Sequence, residues 1–150
     1  MDEYQKITAI LNPYREVHQA FFLINQEQTA KVGITTLQYF TLALLFKTPN
    51  MNLGELAEVL FCSNSTMSGV VDRLVKAKLI IRERSQTDRR TLTLRLTDLG
   101  EKKYKETDVL IMDRLSKLLE MTEEDVNHLT MLHKKVLSKL RCEGDVKSDE

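Results

Sequence analysis

The stretch Asn52-Leu53-Gly54-Glu55-Leu56-Ala57-Glu58-Val59-Leu60-Phe61-Cys62-Ser63-Asn64-Ser65-Thr66-Met67-Ser68-Gly69-Val70-Val71-Asp72-Arg73-Leu74 decides the fold. Asn52 with Glu55 three residues on is a helix-start signal, and Leu53, Leu56, Ala57 and Leu60 fall on one stripe behind it. Phe61-Cys62-Ser63-Asn64 then breaks the period. Ser63 can cap a second helix running to about Lys78, with Met67, Val70, Val71 and Leu74 inward. Two short helices joined by a tight turn form a helix-turn-helix. The outward face of the second helix is Ser63, Asn64, Ser65, Thr66, Ser68, Gly69 and Arg73. These are small polar side chains and one long cation, not the Glu/Lys mixture of a merely solvated helix. Hydroxyls and amides of this size suit phosphate oxygens and base edges, and the helix N-terminus offers free N–H groups to a phosphate.

Downstream, the period changes from helix to strand. Leu79-Ile80-Ile81-Arg82-Glu83-Arg84 and Thr91-Leu92-Thr93-Leu94-Arg95-Leu96 read as a hairpin, with Leu92, Leu94 and Leu96 on one face. The polar loop between them carries Asp88-Arg89-Arg90. A basic hairpin tip beside a groove-reading helix can reach a narrow minor groove, which attracts arginine. Phosphate would repel Asp88, so its expected task is to hold an arginine, Arg90 or Arg73. Lys76, Arg82 and Arg84 are weaker candidates for backbone contacts. The chain totals 22 basic and 22 acidic residues, but the balance is uneven along it. Between Ser63 and Arg95 eight basic residues face three acids, which leaves +5 there and −5 elsewhere.

Upstream, Thr35 with Gln38 is a capping box, and the apolar run after it predicts a helix buried on most sides and ended by Pro49-Asn50. The N-terminal stripe of Ile7, Ile10, Leu11, Tyr14, Val17, Phe21 and Phe22 is interrupted by Pro13. Asn12 before a proline reads as an N-cap, so the expectation is a short helix, a break near residue 12, and a longer helix to about Lys31. After the hairpin, Thr97 caps a long helix carrying apolar residues as far as Leu119. Thr122 caps a last one, with Glu123, Glu124 and Asp125 in its first turn. The predicted fold is mainly α, with about six helices and a two- or three-stranded wing. Residues 35–100 form the central domain. Residues 1–34 and 101–142 form a helical region whose amphipathic stripes need a partner, most simply a second copy of the chain, and 143–150 form a polar tail.

The combination of Leu56-Ala57-Glu58, Ser63-Asn64-Ser65-Thr66, Val70-Val71-Asp72-Arg73-Leu74, Lys78-Leu79-Ile80, Asp88-Arg89-Arg90 and Leu94-Arg95-Leu96-Thr97-Asp98-Leu99-Gly100 resembles the MarR family, the multiple-antibiotic-resistance type of transcriptional regulator. The resemblance spans about residues 35–140 and is most specific between 53 and 100. It implies an obligate homodimer with a winged helix-turn-helix in each subunit, bound to a pseudo-palindromic double-stranded DNA site with half-sites about one turn apart. The helix from Ser63 would read the major groove, and Arg90 would enter the minor groove. It also implies, most often, repression relieved by a small molecule held between the dimerisation helices and the winged domain, for which His18, Phe22 and Tyr39 are the candidates. One departure is visible: the turn often carries glycine where this chain has Phe61. A bulky residue at positive φ is costly, so Phe61 is expected to pack inward and alter the turn.

Other readings narrow the function. Cys62 and Cys142 are too few for a disulfide framework, and both read as inert, because oxidant sensors of the family typically carry their cysteine in the first helix. His128 and His133 lie about 140° apart around a helix and cannot share a metal on one face, and no cofactor motif occurs. There is no phosphate-cradling glycine loop and no nucleophile–histidine–carboxylate set, which argues against an enzyme. No apolar run approaches a membrane span and no secretion signal opens the chain, so a cytoplasmic protein is expected. Two alternatives stay open: a helical protein-interaction module, and an activator with the same DNA-binding mode.

Overall fold

A computed structural model of the chain describes residues 1–88 and 90–141; Arg89, Cys142 and the tail 143–150 lie outside the described residues. The elements are α1 (Glu3–Lys31), α2 (Thr36–Lys47), α3 (Leu53–Val59), α4 (Asn64–Lys76), β1 (Ile80–Arg84), β2 (Leu92–Leu96), α5 (Asp98–Leu115), a 3-10 turn (Ser116–Glu120) and α6 (Glu123–Leu140). They divide into two compact units, Met1–Asp113 and the segment from Arg114 onward. Among the described residues no helix is long and apolar enough to cross a membrane.

The predicted caps form. Thr35 and Gln38, Asn52 and Glu55, and Thr122 and Asp125 each close a capping box, and the Ser63 hydroxyl accepts the Thr66 N–H at 3.1 Å. The predicted break near residue 12 does not. α1 runs unbroken through Pro13, and its N-cap is Asp2, not Asn12. Asp2 accepts the Gln5 N–H at 2.7 Å and Gln5 returns the bond to the Asp2 N–H at 3.1 Å. Proline removes one helical hydrogen bond, the one that would end on the Ala9 carbonyl. Ala9 and Pro13 are both exposed, so water can take up the released oxygen. A second expectation also fails: the helix from Thr97 stops at Leu115, and Leu118 and Leu119 sit on the 3-10 turn that follows.

The first unit is organised around the helix-turn-helix. Leu42 and Leu45 of α2, Leu56 of α3, Met67, Val71 and Leu74 of α4, and Ile80, Leu94 and Leu96 of the hairpin form one buried cluster. Each fully buried leucine contributes about 1.5–3 kcal/mol. The hairpin pairs Ile80 with Leu96 and Arg84 with Leu92. Its third strand is a single residue, Met51, which bridges to Leu94. Leu94 donates its N–H to the Met51 carbonyl at 2.8 Å and accepts the Asn50 N–H at 3.0 Å. Of the Leu92–Leu94–Leu96 face, Leu92 remains exposed at the wing end.

One contact joins α4, the hairpin and α5. Lys78 closes α4 in the left-handed conformation, and the Leu79 N–H reaches back to the Leu74 carbonyl at 2.9 Å. The Leu79 carbonyl then accepts the Thr97 N–H at 3.1 Å, and the Thr97 hydroxyl donates to the Lys78 carbonyl at 2.7 Å, with the Leu79 oxygen farther off at 3.2 Å. The same hydroxyl accepts the Gly100 N–H at 3.0 Å, capping α5. Gly100 lies so close that a Cβ there would sit 1.8 Å from the Leu79 oxygen.

In α1 the buried residues are the polar Asn25, Gln28 and Thr29, whereas Ile7, Ile10, Leu11 and Val17 are exposed. In the second unit, α6 has no buried residue, and Val126, Leu129, Leu132 and Leu137 are exposed on it.

Gly100→Ala is expected to destabilise the protein by at least about 3 kcal/mol, because the obstructing atom is backbone and cannot yield. Gly69→Ala, where an added Cβ meets nothing within 4 Å, should instead stabilise by about 0.5–1 kcal/mol. Urea unfolding of both variants checks the pair, and equal effects would contradict the packing described.

Candidate nucleic-acid interface

The interface begins at the turn between α3 and α4. Leu60 ends α3, the Phe61 N–H bonds the Glu58 carbonyl at 3.3 Å, and the Cys62 N–H bonds the Ala57 carbonyl at 3.0 Å. Phe61 takes φ 51°, the left-handed position that glycine fills without strain. The expectation that it packs inward and alters the turn is wrong: its side chain is 97 % exposed. The backbone demand of the turn prevails over the preference of the side chain. Cys62 is half-buried and packs against the core.

Helix α4 buries Met67, Val70, Val71 and Leu74 and exposes Asn64, Ser65, Thr66, Gly69, Arg73 and Lys76, while Ser68 is half-buried. The capping residue Ser63 is exposed too. Its hydroxyl also donates to the Thr66 hydroxyl at 2.9 Å, so these two side chains are engaged with the helix end itself. Asn64, Ser65 and Ser68 have no side-chain partner among the described residues.

The wing sorts the basic residues into paired and unpaired. Arg82 of β1 forms an ion pair with Asp72 of α4. Arg95 makes a two-pronged contact with Glu83, at 2.7 and 3.3 Å. That contact holds the Glu83 carboxyl below its ordinary range and raises the Arg95 guanidinium. Arg73, Lys76, Lys78, Arg84 and Arg90 have no ion pair among the described residues. Asp72 is thus a positioning residue, a role that neither its place in the Val70–Leu74 motif nor the charge sum reveals. Its partner lies ten residues on, across a helix–strand packing contact with no signature in spacing.

Asp88 does not hold the side chain of Arg73 or Arg90. One carboxylate oxygen accepts the backbone N–H of Arg90 at 2.9 Å, and the other accepts the Thr91 hydroxyl at 3.2 Å. The Asp88 carbonyl accepts the Thr91 N–H at 3.0 Å, and the Ser85 hydroxyl accepts the N–H groups of Thr87 and Asp88 at 3.3 Å. A short polar side chain satisfies local N–H groups two or three residues ahead at less entropic cost than it recruits a distant long one. The result is a braced tip from which the Arg90 guanidinium projects without a partner among the described residues. Arg89, its predicted companion, lies outside the described residues.

His18, Phe22 and Tyr39 occupy different settings. His18 and Phe22 are exposed on α1. Tyr39 is buried, donates its hydroxyl to Asp108 at 2.8 Å, and stacks on Tyr104 with ring centroids 6.0 Å apart. Burial, followed by the Asp108 carboxylate, raises its phenol above the ordinary range. Among the described residues no group of three His, Cys, Asp or Glu side chains is placed to hold a metal ion.

Comparison with known proteins agrees with this geometry. Residues 34–92 match the sequence profile of the MarR family. The transcriptional repressor MdtR of Bacillus subtilis is 38 % identical over 80 residues, covering 53 % of this chain and 52 % of that protein. The helix-turn-helix transcriptional regulator YsmB of the same organism is 30 % identical over 111 residues, 74 % of each chain. Among solved structures, a mutant MarR of E. coli complexed with operator DNA superposes with a TM-score of 0.74 at 24 % identity, covering 91 % of this chain and 99 % of that one. At that identity the superposition establishes a shared fold.

The role found for Asp88 has a local readout. Asp88→Ala is expected to speed amide exchange at Arg90 and Thr91 by roughly tenfold while the melting temperature moves by less than about 2 °C, since the tip opens without the core. Unchanged exchange at both amides would remove Asp88 from the bracing of the wing.

Proposed function

The chain is a transcriptional regulator of the MarR family, and from that premise we propose that it represses by occupying a pseudo-palindromic duplex DNA site as a homodimer. The carrying observation is the set of unpaired cations around an exposed face of small polar residues. Arg73, Lys76, Arg84 and Arg90 are exposed and without ion pairs among the described residues, while the acids Asp72 and Glu83 are neutralised by Arg82 and Arg95. In this reading Asn64, Ser65 and Ser68 reach base edges and phosphates in the major groove, and the capping residues Ser63 and Thr66 hold the helix end against the backbone. Arg73, Lys76 and Arg84 neutralise phosphates. Arg90, with Arg89 beside it, enters the adjacent minor groove, where low groove width favours a guanidinium. Arg82 positions the wing against α4 through Asp72, and Asp88 braces the tip.

A second copy supplies what the exposed stripes of α1 and α6 lack. Two copies also set two reading helices at a fixed spacing, which a pseudo-palindrome requires. Repression as the sign of regulation follows the naming of the 38 % identical relative as a repressor. Release by a small molecule belongs to the same proposal. His18 and Phe22 are its exposed candidates, and Tyr39 is held back by its bond to Asp108. This function includes no catalytic step, and its place is the cytoplasm.

Arg90→Ala is expected to weaken binding to a selected operator duplex by about 1–3 kcal/mol with no change in melting temperature, measured by gel shift at fixed salt. A dimer neutralising about six phosphates should lose roughly a thousandfold in affinity between about 50 and 200 mM salt. A flat salt response would overturn DNA as the partner. Sedimentation should give twice the chain mass, and Leu132→Glu on the exposed stripe of α6 should shift it toward the monomer, because it places a charge in an apolar contact.

A further inference from the structure

Phe61 combines a strained backbone with an exposed ring, and among the described residues no packing offsets either. It holds a left-handed backbone conformation, φ 51°, which a bulky side chain adopts only with strain. Its ring is 97 % exposed, so no burial offsets that strain. Glycine or asparagine would satisfy the same turn at lower cost. The ring stands two residues before Ser63, the N-cap of α4, and Val59, just before the turn, is also exposed. The N-terminal end of the second helix of a helix-turn-helix is the end that enters the major groove. On this end Asn64 and Ser65 lie without protein partners among the described residues, and unpaired Arg73 follows on the same helix.

We infer that Phe61 is a specificity-determining DNA contact: its ring packs on the 5-methyl group of a thymine at the edge of the major-groove site read by α4. This rests on the DNA-binding reading above. A phenyl ring has no hydrogen-bond donor or acceptor, so it is blind to the polar edges of the bases. The one apolar feature that the major groove presents is the thymine methyl, and apolar side chains read it by contact. The small polar residues at 63–66 keep the helix end close to the groove floor, and Phe61 supplies the bulk that reaches its rim.

The test uses the full chain and a duplex selected by it from a random-sequence pool. Each thymine of that duplex is replaced in turn by deoxyuridine, which removes only the methyl group. Fluorescence anisotropy then gives affinities for the wild type, Phe61→Gly and Arg90→Ala. The wild type is expected to lose roughly fourfold at one thymine per half-site, the worth of about one buried methyl. Phe61→Gly should bind the parent duplex more weakly by at least that factor and show no further loss at that thymine, whereas Arg90→Ala should retain the loss. Phe61→Gly should also melt roughly 2–4 °C higher, as relief of strain in a chain of this size implies. Unchanged affinity of Phe61→Gly overturns the inference, and so does an equal loss on the thymine and uracil duplexes, which would put the ring on the sugar backbone. A shift of Phe61→Gly to the monomer in sedimentation overturns it in favour of a subunit contact. Failure of the wild type to select any duplex instead overturns the DNA-binding reading, and the inference with it.

Discussion

The Leu79 carbonyl oxygen is the point on which the winged domain depends. It accepts the Thr97 N–H, while the Thr97 hydroxyl donates to the neighbouring Lys78 carbonyl, and only a glycine at 100 lets α5 approach it. Two consequences follow from this one acceptor. The root of the hairpin is fixed to the end of α4, because Leu79 itself bonds back to Leu74. The start of α5 is fixed to the root of the hairpin, because Thr97 is the cap of α5 as well as the donor to Leu79. Three elements thereby share one origin, and a buried backbone oxygen that would otherwise lack partners is satisfied.

Charge is arranged in the same economical way. The acids of the central segment do not dilute its positive field at random. Asp72 and Glu83 each fasten an arginine whose duty is structural, and Asp88 turns its carboxylate onto backbone N–H and hydroxyl groups. Among the described residues Arg73, Lys76, Lys78, Arg84 and Arg90 are left without an ion pair. Exposed pairs of this kind add little to stability. Their effect is to separate the arginines that hold the domain together from those left without an ion pair among the described residues.

Much of this was legible in the sequence, because caps are local. Thr35 with Gln38, Asn52 with Glu55, Ser63, and Thr122 with Asp125 each signal a helix start within four residues, and each signal is obeyed. The change from helical to alternating apolar period marks the hairpin equally well. The failures share another character. Pro13 is tolerated because its site is exposed, which the sequence does not state. The partner of Arg82 is set by how a strand crosses a helix, and that of Asp88 by the shape of a loop. Phe61 falls on the left-handed position of the four-residue connection between α3 and α4, where the backbone overrides the preference of the side chain.

The Asp72–Arg82 pair spans from the helix to the wing, and the Leu79 clasp joins them at the other end. Helix and hairpin root are therefore joined at two points, one a set of backbone hydrogen bonds and the other an exposed ion pair. Joined in this way they work as a caliper. In the complex proposed above, the step from the bases under α4 to the groove under the wing follows from these two joints, so an operator with one base pair inserted between those two points would not be read more weakly at one of them. It would be out of gauge for both.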